Sequence, residues 1–252
     1  MNLLPAIVTS ADLSSIRSRP QLPANTWYLI ASVTLSQLNR LDEVSKVYQH
    51  ALRHGPDGTV PSQDEKLRVS RRIREALIKA VAISGVPRTI NTLLELKKVT
   101  PEELLDEPDA FSPTGRRADM YDTPASQIIL RGQTFFEAIY GKITRRVVGQ
   151  MDRSGTEDLG LLARLMNGYV LSNTSVLSPA ETSFVMIAGL IHQDVNPQLK
   201  GHLRGALNGG ATVEEVRAVR HVVVELCHLA GMKMLDASAP AGFAWRCEVA
   251  DL

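Results

Sequence analysis

Downstream of Thr212, apolar residues recur at Val216, Val219, Val223, Leu226 and Ala230, spaced 3, 4, 3 and 4, and Gly231 stands where a helix stop is expected. Thr212 with Glu215 forms a capping box at the start of this run. A chain built on such segments must bury helix against helix. Proline-marked starts at Thr100-Pro101, Thr123-Pro124, Ser178-Pro179 and Asn196-Pro197 repeat the signal, and Thr100/Glu103 and Ser178/Glu181 complete the box. Looser helical periodicity covers 27–39, 42–53, 65–84, 88–98, 125–151, 157–172, 179–192 and 197–208. No pair of alternating runs joined by a hairpin turn is present, so the expected architecture is all-α. Aromatic residues at 5% point away from a β-sandwich in the same way.

Charge and cysteine usage narrow the function classes. Lys and Arg total 28 against 27 Asp and Glu, so no global field draws the chain to nucleic acid or an anionic membrane. Cys227 and Cys247 lack CxxC spacing, which suits a reducing compartment and offers no structural zinc site. With no transmembrane run and no basic leader before the short apolar start, a soluble cytoplasmic chain is expected. The last residues, Ala250-Asp251-Leu252, do not match the peroxisomal tripeptide address.

Polar breaks at 55–64 and 107–122 divide the chain, the second being the expected domain boundary. Its flanks suggest a diverged duplication: VYQHALRHG from Val47 parallels HLRGALNGG from His202, each followed by a helix ending near glycine. With Ala51-Leu52 placed on Ala206-Leu207, 33 residues separate Leu52 from Gly85 and 24 separate Leu207 from Gly231. The surplus is expected in the polar break at 55–64.

Functional groups are densest over Ile191–Asn208, which carries His192, Gln193, Asp194, Gln198, Lys200, His202 and Arg204. With Asn196 as cap, Gln198 and His202 lie four apart on one face near unpaired backbone N–H groups, a suitable pocket for a small acid. The positive helix end favours a neutral His202 able to accept a proton. The alternative is a packed histidine bonded to a neighbouring helix. Glu181 reads as a cap before it reads as an acid, and Cys227 as a core residue before a nucleophile. Glu225 and His228 read as a solvated or interface pair. The basic run Lys66, Arg68, Arg71, Arg72, Arg74 and Lys79 reads as the ionised outer face of an amphipathic helix. No Gly-rich phosphate loop, GxSxG elbow or dinucleotide fingerprint occurs.

The order Leu177-Ser178-Pro179, a long apolar helix, Gln198 to Asn208 (QLKGHLRGALN), then Gly210 to Val216 (GATVEEV) resembles the carboxymuconolactone decarboxylase family of the alkylhydroperoxidase-D-like superfamily. The resemblance covers about 125–235, with a degenerate copy over about 27–98 that includes Arg71 to Leu77 and Gly85 to Asn91. It implies an alkylhydroperoxidase-D-like helical bundle. The expected units are a degenerate amino-terminal one over 1–110 and a decarboxylase-like one over 120–252. Peroxidases of this superfamily use a CxxC pair, a histidine four residues beyond it and a relay glutamate. Here those positions hold Val195, Gln198, His202 and Ser183, so only the histidine survives and CxxC peroxidase chemistry is not expected.

The resemblance therefore implies a cofactor-free lyase or isomerase, without metal, acting on a small carboxylate or lactone of possible polyketide origin. Carbon dioxide loss needs an electron sink and then a proton at carbon. His202 would handle the proton and Gln198 the developing oxyanion, while Arg131, Arg204 and His192 would bind the substrate. A homo-oligomer is expected, with no nucleic-acid or membrane partner. The rival expectation is a non-catalytic oligomeric binding or scaffold protein of the same fold.

Overall fold

The computed structural model describes residues 4–55, 58–108, 111–235 and 243–252. It is all-α, as the periodicity predicts. The amino-terminal half comprises α1 (Ser10–Arg17), α2 (Trp27–Gln37), α3 (Leu41–Arg53), α4 (Gln63–Lys79), α5 (Val81–Ser84) and α6 (Val86–Lys98). The remainder comprises α7 (Arg116–Tyr121), α8 (Ala125–Tyr140), α9 (Thr144–Asp152), α10 (Asp158–Met166), α11 (Pro179–Leu190), α12 (Asn196–Asn208) and α13 (Val213–Leu229). A two-residue parallel pairing of Lys233–Met234 with Ala244–Trp245 follows.

Capping boxes hold the starts of α11 and α13, as expected, and also of α1 (Thr9/Asp12) and α4 (Ser62/Glu65). Three of the proline-marked starts differ. Pro101 keeps an extended ψ of 143°, so only a 3₁₀ turn over Glu102–Leu104 forms, and Thr100 Oγ1 donates back to the Leu96 carbonyl instead. At α8 the cap is Pro124 itself, with no side-chain bond. Asn196 lies inside α12 and its side chain ties down the carboxyl-terminal segment, accepting from the Ala250 amide and donating to the Glu248 carbonyl. The run over 125–151 is broken at Gly141, whose φ of 52° turns the chain back as the α8–α9 hairpin.

The internal similarity is geometric. Helices α3 and α12 are both 13 residues long, and the displacement that carries Leu41 to Asn196 also carries Asn39 (φ 59°) to Asp194 (φ 57°). Two non-glycine residues in the left-handed region at matching positions mark one repeated turn. Helices α4 and α13 are both 17 residues long and both begin with a box. The surplus expected at 55–64 is split: part lies in the 54–62 connection, and four residues form α5, so Gly85 is not the counterpart of Gly231.

Helices α2 and α11 occupy the centre. Every residue of α2 is buried, as is Thr182–Leu190 of α11, so both are enclosed on all sides, Ser32, Thr34, Ser36, Gln37, Thr182 and Ser183 included. They pack on each other, with α13 against α2 and α4 against α11. One contiguous core therefore includes Leu29, Ile30, Ile73, Phe184, Val219 and Leu226 from both halves.

Helix α4 corrects the reading of its basic run as a solvated face. Arg71 and Arg74 pair with Asp106, Arg72 pairs with Glu181 at 2.5 Å, and Lys79 is fully buried. Lys79 Nζ donates to the carbonyls of Leu171 and Asn173, both at 2.7 Å. Its helix neighbour Glu75 accepts two bonds from the Arg116 guanidinium, at 2.6 and 2.7 Å. The carbonyls involved belong to or follow a π-helical turn, Asn167–Leu171, that extends α10. Burial pushes the Lys79 ammonium down to about 8, against the upward pull of Glu75. Glu75→Gln leaves two cations facing a neutral amide in a dry site. Breaking a buried pair costs about 3–5 kcal/mol, so the urea midpoint should fall steeply with little change in m; an unchanged midpoint would contradict this account.

Candidate functional site

His202 sits on α12 facing the end of α8. Two glycines one helical turn apart make that approach possible. A Cβ at Gly201 would lie 2.8 Å from Tyr140 Cε1, and one at Gly205 would lie 2.5 Å from Ile139 Cγ2. With hydrogen in place of side chains, α8 settles directly onto α12. Tyr140 Oη and His202 Nε2 share a hydrogen bond of 3.2 Å, and the rings meet edge to face. His202 Nδ1 is buried and has no partner among the described residues. Burial pushes the imidazole down to about 4 and the phenol up to about 12, so both are neutral near pH 7. The neutral histidine expected from the helix end is present, but desolvation is the cause.

Among the described residues, no hydrogen bond joins His202 to another of the expected site residues. Gln198 and Arg204 are exposed, and Arg204, two positions beyond His202, projects from another side of α12. Arg131 stands nine residues before Tyr140 on α8, about 14 Å along its axis at 1.5 Å per residue. Its guanidinium is taken up by Asp119 at 2.6 and 3.0 Å, by Ser172 Oγ and by the Gly168 carbonyl. It fastens α7 and the π-turn to α8, which leaves it poorly placed to receive a carboxylate. His192 lies in the 3₁₀ turn after α11, and burial lowers it to about 4, against a contact with the Gly189 backbone and with Arg88 adding to the effect. Ser183 keeps a buried hydroxyl without a partner among the described residues.

Neighbouring candidates take structural roles. Glu181 closes the α11 cap and holds Arg72. Cys227 is buried with its thiol pushed up to about 12, as a core residue should be. Glu225 pairs with Arg19 at 2.6 Å, and His228 packs edge-on against Trp245. Among the described residues, no cluster of three or more His, Cys, Asp or Glu is arranged for a metal ion.

A cavity of about 460 Å³ lies beside the phenol–imidazole pair, between α8, α9 and α10. Phe136 lines it and stacks on Tyr140 at 4.2 Å between centroids. Thr144, Arg145 and Val148 of α9 form the opposite wall. None of these residues stood out in the sequence, because the hairpin that creates the cavity was hidden in one long periodic run. Gly141 was its single local signal.

These features define a class: an all-helical protein built on two central helices, with a phenol–imidazole contact between Tyr140 of α8 and His202 of α12. The chain is 37% identical over 210 residues to Peroxisomal protein 2 of Schizosaccharomyces pombe, covering 82% of this chain and 87% of that protein. It is 30% identical over 253 aligned positions to Peroxisomal protein 2 of Saccharomyces cerevisiae, covering 82% and 89% respectively. The chain belongs to this Peroxisomal protein 2 family. No family model matches it. Among the described residues, no helix is long and apolar enough to cross a membrane.

His50, like His192 and His202, is held near 4 by burial. Unfolded histidines titrate near 6.5, so between about 6.5 and 4 the unfolded chain binds protons that the native chain refuses. Stability is complete above that window and falls as pH drops through it. Thermal melts should lose stability steeply from pH 6.5 to 4, and His202→Gln should flatten the slope. An equally steep slope in the variant would mean that His202 is not proton-linked to folding.

Proposed function

We propose that this chain is a peroxisomal, oligomeric binding or scaffold protein that keeps a carboxymuconolactone-decarboxylase-like helical framework without decarboxylase turnover. The observation that carries this reading is the state of His202: among the described residues one nitrogen is engaged by Tyr140 and the other is buried without a partner, while Arg131 is held by Asp119, Ser172 and Gly168. A lyase centre needs an acceptor for developing charge and a cation for the leaving carboxylate, and the Arg131 guanidinium is already taken up by Asp119. The peroxisomal part rests on the names of the two yeast relatives. It replaces the cytoplasmic expectation. The oligomeric part is supported by the exposed leucines Leu159, Leu162 and Leu165 of α10 and Leu130 of α8, which need a cover in water.

The lyase or isomerase reading keeps one supporting feature. Phe136 lines the cavity and stacks on Tyr140, which in turn bonds His202, so the cavity and the imidazole are joined through two rings. Purified protein incubated with candidate lactone acids separates the two readings. The binding reading expects no substrate loss from wild type or from His202→Gln, and light scattering above the monomer mass of 27.6 kDa. Substrate consumption that His202→Gln abolishes in a folded protein would establish the lyase instead. A fluorescently tagged chain should coincide with a peroxisomal marker, and a diffuse cytosolic signal from either tagged end would refute the location.

A further inference from the structure

Two helices, one from each half of the chain, keep an apolar stripe in water. On α6, Thr89, Thr92 and Leu96 are buried, while Val86, Ile90 and Leu94 follow one another four apart on the outer side, 49–57% exposed. On α10, Gly160, Ala163 and Arg164 face the cavity, and Leu159, Leu161, Leu162 and Leu165 cover the outer side, 46–52% exposed. Only Gly160 of its nine residues is buried. Among the described residues, neither α9 nor α10 gives a side chain to the contiguous core. A helix of that length is marginal in water without a packed apolar face, so the leucines of α10 need a cover.

Charge indicates what the cover is. The α6 stripe ends at Lys97 and Lys98, both exposed, with Lys98 shared by Glu95. The α10 stripe begins at Glu157 and Asp158, both exposed. Nearby cations are engaged elsewhere: Asp152 holds Arg164, Arg88 donates to the Gln37 carbonyl, and the Arg153 guanidinium lies against Gly149. From Val86 to Leu94 the one stripe runs about 12 Å, and from Leu159 to Leu165 the other runs about 9 Å, at 1.5 Å per residue. Laid antiparallel, the stripes cover each other and the two lysines come beside the two acids. The same orientation opposes the helix dipoles. Two α10 faces packed parallel would bring four acids together, and packed antiparallel they would leave the acids without a cation. Pairing α6 with α6 has the same fault with lysines. An anionic lipid surface fits poorly, because helices that lie on one carry Lys and Arg along the polar face, whereas α10 opens on two acids.

We propose that α6 of one copy of this chain docks antiparallel on α10 of another, Val86, Ile90 and Leu94 against the leucines, with Lys97 and Lys98 facing Glu157 and Asp158. Every chain carries both halves of the contact, so a two-fold pair makes it twice and a ring makes it once with each neighbour. The inference deepens the oligomeric reading and rests on it.

Light scattering of the full chain, with melts to check folding, tests the contact. Wild type should exceed the monomer mass of 27.6 kDa, and Leu94→Glu on α6 and Leu162→Glu on α10 should each give a folded monomer. Lys97→Glu combined with Lys98→Glu should weaken assembly at least about tenfold, a difference of about 1.4 kcal/mol, because four acids then meet. Adding Glu157→Lys and Asp158→Lys to that same chain should restore assembly. These four positions are exposed, so the charge exchange decides the matter should either leucine variant fail to fold. Assembly that survives Leu94→Glu or Leu162→Glu in a folded protein, or that does not recover in the fourfold variant, would overturn the contact and leave the oligomeric reading standing. A monomeric wild type would defeat both, and its sedimentation with vesicles of phosphatidylcholine and phosphatidylserine would give the stripes to a membrane instead.

Discussion

The buried Glu75 carboxylate governs how the two halves of the molecule meet. It lies 1% exposed on α4, between the fully buried Lys79 and the Arg116 guanidinium. Both cations also donate to carbonyls at the end of the α10 extension, Lys79 to Leu171 and Asn173 and Arg116 to Val170. A π-turn leaves carbonyls that a regular helix would have used. The α4 charges supply the missing donors, so the irregular turn and the buried ions satisfy one another. Neither half could present these groups alone without stranding charge or carbonyl in a dry interior. The contiguous core between α2 and α11 supplies the free energy, and this ionic lock selects the register in which that core forms.

From the lock the geometry propagates to the site. The π-turn is held from its other side by Arg131, which also holds Asp119 of α7, and α8 is thereby set in place. Gly132 admits the turn closely, since a Cβ there would lie 2.4 Å from the Gly168 nitrogen. With α8 fixed, Tyr140 meets His202 across Gly201, and the α8–α9 hairpin opens the cavity on its outer side. An arginine that looks like a substrate anchor in the sequence is thus a structural clamp. The position of the phenol–imidazole contact depends on that clamp.

What could be read from the sequence follows the range of the interactions. Capping boxes at Ser178 and Thr212 are closed within three residues, and both are present as read. The duplicated turn was visible through Ala51-Leu52 and Ala206-Leu207, because matching helices demand matching spacing. The basic run of α4 misled because partners such as Glu181 and the carbonyls of Leu171 and Asn173 lie about a hundred positions away. The same periodicity describes a solvated face and a face buried by ion pairs. Tyr140 was missed for a similar reason, since its bond to His202 spans 62 positions.

The divergence of the two units makes functional sense of these placements. The displacement that aligns α3 with α12 puts Val47 opposite His202 and His50 opposite Gly205. In the amino-terminal unit His50 is itself enclosed, edge-on to Trp27 and stacked on His54, with Nε2 unpartnered. Each half therefore sets an imidazole against aromatic rings, buried at His50 and half-buried at His202, at different positions of helices of equal length. The hollow that remains is lined by α8, α9 and α10, outside the repeated helices, where loop and hairpin changes leave the central pair α2 and α11 undisturbed.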